Sequence, residues 1–152
     1  MELNMIQLKK LIDISLIEDI GTGDITTTST VPAGSFTKGI IYVKEPGVVA
    51  GVAVAEAVFR RLSEEIKFAN KVVDGAWLEP GATIAEVEGD ARAILSGERL
   101  ALNFLQRMSG IATRTAALVE KVKLYPVSGG YQKNYPWPTY VGKVCCQGRR
   151  RL

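Results

Sequence analysis

The strongest candidate for a functional side chain is Arg99. The apolar pattern places it in the first turn of a predicted helix that is capped by Ser96. The helix macrodipole disfavours a cation in that turn, whereas a guanidinium beside free helix N–H groups suits an anion. Two interpretations follow: an anion-binding arginine, or a surface arginine paired with Glu98 or Glu56.

Three carboxylates, Glu18, Asp19 and Asp24, flank Gly21-Thr22-Gly23 and form a second candidate site. Their oxygens could bind a cation, although acids beside a turn more often cap and solvate a helix end. The glycines lack the third glycine and the preceding strand of a dinucleotide loop, and no P-loop lysine follows them. The segment 21–23 is therefore predicted to be a turn.

Other familiar catalytic groups are missing from the sequence. The chain has no histidine, so it lacks the commonest general base and the commonest metal ligand. Its two cysteines, Cys145 and Cys146, are adjacent and have no histidine with which to complete a zinc site. The composition therefore indicates neither a histidine-based catalytic centre nor a zinc site.

The hydrophobic pattern predicts an α+β domain, with helices at both ends and short strands between them. Ser109-Gly110 is expected to kink or break the last helix, and Asp74-Gly75 and Pro80-Gly81 are expected to be turns. The predicted helices cover 6–20, 52–62 and the residues from 96 onward; strands are expected at 39–43, 66–73, 84–88 and 91–95, and an extended or turn segment at 24–28.

The spacing of apolar runs and turn residues in 72–87 is similar to that of a hammerhead, or carrier-type, β-sandwich such as a lipoyl or biotinyl domain. Those domains present a modified lysine within a short signature triplet at a hairpin tip. The triplet does not occur here, and Lys71, the nearest lysine, has the wrong neighbours. A small β-layer with tight turns is the interpretation that remains.

Charge divides the chain near residue 125. All 16 acidic residues lie in 1–120, which carries a net charge of −4, whereas 121–152 carries +7 and no acid. A basic tail can indicate binding to nucleic acid or to a membrane surface.

The 152 residues are too few for a complete α/β barrel, which needs about 250. No membrane helix or secretory signal is visible, so the default expectation is a cytoplasmic protein without a membrane partner.

Three segments together carry a family resemblance: Glu18–Thr27, Gly75–Ala85 and Gly97–Thr113. With them the chain resembles quinolinate phosphoribosyltransferase, the decarboxylating enzyme also called nicotinate-nucleotide pyrophosphorylase. The match runs from about residue 5 to 127, and the third segment is its longest and most specific part.

The resemblance implies an N-terminal α/β sandwich domain, hammerhead-like, over 1–101, and a helix over 102–127 that leads into an α/β barrel. It also implies transfer of a phosphoribosyl group from phosphoribosyl pyrophosphate to quinolinate, in NAD biosynthesis, with release of pyrophosphate and CO2. The family enzyme uses Mg²⁺, for which we expect no ligand in this chain, and it forms a homodimer or higher oligomer. In the family's Glu-Arg-x-x-Leu-Asn pattern the arginine, here Arg99, binds the quinolinate carboxylates in the neighbouring subunit's barrel. An arginine is well suited to a dianionic substrate.

The family's next strand, Val-Asp-Thr-Arg-Lys-Thr, is absent after about Val127. A codon string can be written that encodes 129–139 in one frame and Val-Asp-Thr-Arg-Lys-Thr-Thr-Pro-Gly-Leu when it is read one base later. We therefore interpret 128–152 as an out-of-frame tail and expect the chain to be inactive alone.

Without its barrel, the long helix should expose an apolar stripe or bury it by self-association. The stripe consists of Phe104, Met108, Ile111 and Leu118. Two other classes remain open: a related pyrophosphorylase-like protein of molybdenum transport loci, and a binding module whose basic tail contacts nucleic acid. The favoured interpretation assigns no nucleic-acid partner.

Overall fold

The computed structural model describes residues 5–21 and 24–122. Within them lie four helices and five strands. In chain order these are α1 (Met5–Ile20), α2 (Ile25–Thr30), β1 (Phe36–Tyr42), β2 (Gly47–Val48), α3 (Val52–Leu62), β3 (Lys67–Asn70), β4 (Trp77–Leu78), β5 (Thr83–Asp90) and α4 (Ala91–Val122).

The strands form an antiparallel sheet in the order β1-β5-β3 and a separate pair, β2 and β4. One face of the larger sheet carries a charged ladder, in which Glu86 pairs with Lys38 at 2.9 Å and with Lys71 at 3.2 Å. On the other face Ala85 and Val87 are buried in a core shared with α1, α3 and α4. A sheet covered by helices confirms the expected α+β class.

Helix α3 has the bounds that the sequence predicts, and a distant aspartate explains where it starts. Both carboxylate oxygens of Asp74 accept hydrogen bonds, one from Gly51 N and one from Val52 N, each at 3.0 Å. They satisfy N–H groups that a helix start leaves without partners. Gly51 itself has a φ of 97°, which favours glycine. The expected turns at Asp74-Gly75 and Pro80-Gly81 are also present.

The extended or turn segment expected at 24–28 is wrong, because α2 begins at Ile25. The argument from β-branched threonines missed the cap. Asp24 Oδ1 accepts a hydrogen bond from Thr27 N at 2.9 Å, so Asp24 is the N-cap of α2. In a helix this short, the capping bond outweighs the low helix propensity of threonine.

The start of α4 also corrects the sequence prediction. Residues 91–95 form its first turns and not a strand, and Asp90, not Ser96, accepts the capping hydrogen bond, from Ala93 N at 2.8 Å. The helix then continues to Val122, so the break considered at Ser109-Gly110 does not occur.

The expected exposure of the apolar stripe is wrong for its first half. Phe104 and Met108 are buried in the core of this same chain, and Ile111 packs against that core, whereas Leu118 is exposed. The predicted domain boundary at 101/102 falls inside α4, since residues on both sides of it pack into one core. That boundary stays a prediction.

Candidate functional site

Arg99 lies on α4, but as its ninth residue, in the third turn and not the first. The free N–H groups of a helix start are confined to its first turn. The sequence argument for an anion site, which combined Arg99 with such N–H groups, is therefore wrong in its geometry. Whatever Arg99 binds must be held by the guanidinium.

The partner of Arg99 is Asp19, near the end of α1. Arg99 Nη1 lies 3.5 Å from Asp19 Oδ1, and within residues 5–21 and 24–122 the guanidinium makes no other hydrogen bond or ion pair. The sequence had offered Glu98 or Glu56 as partners. Glu56 instead pairs with Arg60 at 2.8 Å, one turn along α3. The ion-pair interpretation of Arg99 was therefore correct in kind and wrong in its partner.

The two members of this pair differ in exposure. The Arg99 side chain is 76% exposed, whereas that of Asp19 is 23% exposed. An exposed pair at this distance contributes at most about 1 kcal/mol to stability. The carboxylate is thus held by its surroundings, and the guanidinium reaches over it from solvent.

Asp24 lies close to the same arginine, although its oxygens are already occupied. Thr27 and Ser96 both donate to Asp24, and the Ser96 Oγ–Asp24 Oδ2 distance is 3.1 Å. The hydrogen bonds from Thr27 are the main reason why the pKa of Asp24 is lowered, with smaller contributions from Ser96 and from the positive charge of Arg99. Asp24 is therefore a structural anion beside Arg99.

The other end of α2 is attached to α4 as well. Arg92 donates to Val31 O at 2.8 Å and to Thr28 O at 3.1 Å, which satisfies carbonyl groups at the end of α2. Arg92, Ser96 and Arg99 follow each other at spacings of four and three, so they share one face of α4. Sequence reasoning missed Arg92 and Ser96 in these roles, because their partners lie more than 60 residues away.

The cation interpretation of Glu18, Asp19 and Asp24 finds no support in this geometry. Asp24 caps α2 and Asp19 pairs with Arg99, as described above. Among the residues that the structure describes, no cluster of three or more histidine, cysteine or acidic side chains could hold a metal ion.

Three further sequence interpretations concern other regions. The Lys71 ammonium, considered as a carrier lysine, is instead paired with Glu86. No helix in the described ranges is both long and apolar enough to cross a bilayer. The tail 128–152, with Cys145 and Cys146, lies outside the described residues.

Chemically, the site is an exposed arginine with one long contact, from Nη1 to the Asp19 carboxylate. Its planar fork can bind a carboxylate or phosphate through two parallel hydrogen bonds. The negative charges of Asp19 and Asp24 attract the guanidinium, which remains largely exposed.

Comparison with known proteins agrees with the resemblance noted from the sequence. The family model "Quinolinate phosphoribosyl transferase, N-terminal domain" matches residues 24–109. A probable nicotinate-nucleotide pyrophosphorylase (carboxylating) of Bacillus subtilis is 44% identical over 117 residues, which are 77% of this chain and 40% of that protein. A quinolinate phosphoribosyltransferase (decarboxylating) of Nicotiana tabacum is 40% identical over 114 residues, 74% of this chain and 33% of that protein.

Solved structures show the same fold. The crystal structure of NadC from Streptococcus pyogenes has a TM-score of 0.77 and 36% identity, and the match covers 80% of this chain and 44% of that one. The nicotinate-nucleotide pyrophosphorylase of Francisella tularensis has a TM-score of 0.76 and 32% identity, with 82% and 44% covered. The chain thus spans less than half the length of these relatives. Its matched residues include all of β1 to β5 and the Arg99 turn of α4, and the chain belongs to the quinolinate phosphoribosyltransferase N-terminal domain family.

Proposed function

We propose that this chain is the N-terminal domain part of a quinolinate phosphoribosyltransferase, and that Arg99 is its contribution to the quinolinate site. The reaction joins quinolinate to the ribose of phosphoribosyl pyrophosphate and yields nicotinate mononucleotide, pyrophosphate and CO2, a step of NAD biosynthesis. The names of the relatives, which refer to quinolinate or nicotinate nucleotide, favour this function over a molybdenum-locus protein.

The observation that carries the proposal is the state of the Arg99 guanidinium. It is a cation, it is largely exposed, and its one ion pair with another residue of the described ranges is the 3.5 Å contact with Asp19. Quinolinate has two carboxylates on adjacent ring carbons, which match the two-pronged donor geometry of arginine. Hydrogen bonds to charged partners contribute about 1.5–3 kcal/mol each, more than the exposed pair with Asp19.

The exposure of Arg99 also supports an oligomer. An anion at an exposed arginine remains in contact with water, which weakens the interaction. A second surface placed over Arg99 would exclude that water and complete the site. The resemblance assigns this surface to the barrel of a neighbouring subunit in a homodimer or higher oligomer. It also implies that the enzyme is cytoplasmic.

Mg²⁺ and phosphoribosyl pyrophosphate belong, by the same resemblance, to the barrel. Near Arg99 both Asp19 and Asp24 already have partners, so the described residues do not fit a magnesium ion. The role of this domain is to bind and orient quinolinate.

The reading frame of the tail is part of the proposal. If 128–152 is out of frame, the gene continues into the family's barrel strands once the frame is restored after about codon 127. Sequencing the gene from codon 120 onward for several hundred bases tests this. An uninterrupted second frame with family barrel sequence supports it, and a stop-rich second frame contradicts it.

Activity provides the functional test. We expect the purified 152-residue chain to release no pyrophosphate from phosphoribosyl pyrophosphate in the presence of quinolinate, because the barrel groups are missing. The frame-restored protein should release pyrophosphate only when quinolinate is present. Quinolinate-dependent release by the short chain, or none by the restored protein, would overturn the proposal.

A further inference from the structure

The ion pair between Arg99 and Asp19 differs in geometry from the contacts of Arg60, Arg61 and Arg92. Arg60 and Arg92 use their Nε atoms at 2.8 Å, and Arg61 also bonds Asp13 through Nε. Arg99 reaches its carboxylate only through the terminal Nη1, at 3.5 Å. A single long contact at the end of the side chain restricts the direction of the guanidinium but leaves most of its donors unused.

Asp19 is suited to the role of a temporary counter-ion. Its carboxylate sits near the end of α1 and is mostly covered, so its position changes less than that of the arginine. Asp24, the other nearby carboxylate, binds Thr27 and Ser96 and keeps α2 in place. Asp19 can therefore lose its contact with Arg99 without loss of a helix cap, whereas Asp24 is the N-cap of α2.

We propose that Asp19 is a positioning residue for Arg99, which holds the guanidinium in reach of the site and is displaced from it by an incoming carboxylate. This inference rests on the proposed function, since the incoming group is a carboxylate of quinolinate. A dicarboxylate offers Arg99 a second pair of oxygens, whereas Asp19 offers one oxygen at the limit of hydrogen-bond distance. Asp19 thus keeps the arginine oriented when the site is empty and competes weakly with the substrate.

The consequence for binding has a definite sign. Removing the charge of Asp19 removes both a competitor for the guanidinium and a repulsion on the anion. An exposed ion pair is weak, so the gain in affinity is modest: the Asp19→Asn variant should bind quinolinate about two- to five-fold more tightly. A residue with a merely structural role would, on replacement, lower stability and leave affinity unchanged or reduced.

The test follows the Arg99 Nε–H resonance of the frame-restored protein by NMR during titration with quinolinate, that is, pyridine-2,3-dicarboxylate. An Arg99→Lys variant identifies the resonance. We expect a saturable shift in the unaltered chain, a dissociation constant lowered about two- to five-fold in Asp19→Asn, and a return towards the original value in Asp19→Glu. Thermal unfolding of each variant gives the structural readout.

Asp13→Asn is the matched control, because it removes the same charge from the same helix and breaks a different ion pair, with Arg61. It should leave quinolinate binding unchanged. If the Arg99 signal shifts in the unaltered chain but Asp19→Asn binds no more tightly, the positioning role of Asp19 is wrong and the proposed function stands. If the signal stays still in both proteins, the proposed role of Arg99 is itself overturned.

Discussion

Replacing Arg99 by alanine in the frame-restored protein is expected to raise the KM for quinolinate about 10- to 100-fold. The range follows from the loss of charged hydrogen bonds worth about 1.5–3 kcal/mol, at 1.4 kcal/mol for each factor of ten. The KM for phosphoribosyl pyrophosphate should change little, because that substrate is assigned to the barrel. Steady-state kinetics with each substrate varied in turn measures both constants.

Arg114→Ala is the matched control for this prediction. Arg114 is also an exposed arginine on α4, four turns further along the helix, so its removal changes the net charge equally. Its quinolinate KM should stay within about two-fold of the original value, as screening at physiological salt limits the effect of a distant charge. Equal effects of the two substitutions would mean that Arg99 acts only through net charge.

Replacing Phe59 by alanine is expected to lower the free energy of unfolding of this chain by about 3–5 kcal/mol. Phe59 is 2% exposed, and its ring centroid lies 5.9 Å from that of Phe68. The ring also packs so closely beneath α4 that a Cβ at Gly97 would come within 3.2 Å of it. Phe59 of α3 thus contacts both α4 and Phe68 of β3, and close packing on both sides limits how far a local shift can close the cavity.

Urea unfolding followed by circular dichroism measures this loss. Phe36→Ala provides the control, because Phe36 is the same residue type on β1 but is 68% exposed. It should change the free energy of unfolding by no more than about 0.5 kcal/mol. A small effect of Phe59→Ala would contradict the packing of α3 against α4, on which the position of Arg99 depends.

The elements that sequence reasoning predicted well are those with a strong hydrophobic pattern. The bounds of α3 and almost all of α1 followed from apolar residues at helical spacing, and those residues are buried or partly buried against the core. Alternation predicted β5 for the same reason, since its inward residues Ala85 and Val87 are buried. Periodicity works in these cases because burial is what selects it.

The elements that were missed depend on single hydrogen bonds. Asp24 caps α2. Asp90, the last residue of β5, caps α4, which begins at the next residue. The pattern of 91–95 suits a strand as well as a helix, and only the cap decides between them. Ser96 has the residue type of a helix cap, yet its hydroxyl donates a hydrogen bond to Asp24 on a distant segment.

The candidate site shows a similar division. Arg99 was identified from its motif and the family resemblance, whereas the local argument placed it in the wrong turn of the helix. Asp19 was considered as a cation ligand or as an acid that caps and solvates a helix end, because nothing in sequence connects it to a residue 80 positions away. The contact exists because α1 and α4 pack together through a shared core, which only the three-dimensional fold reveals.

A crystal structure of the frame-restored protein with quinolinate bound would test the central claim most directly. The account predicts that a guanidinium N–H of Arg99 lies at about 3 Å from a quinolinate carboxylate oxygen and has left Asp19. The quinolinate should sit between Arg99 of one subunit and the barrel of its neighbour. Quinolinate bound elsewhere, with Arg99 still paired to Asp19, would contradict the account.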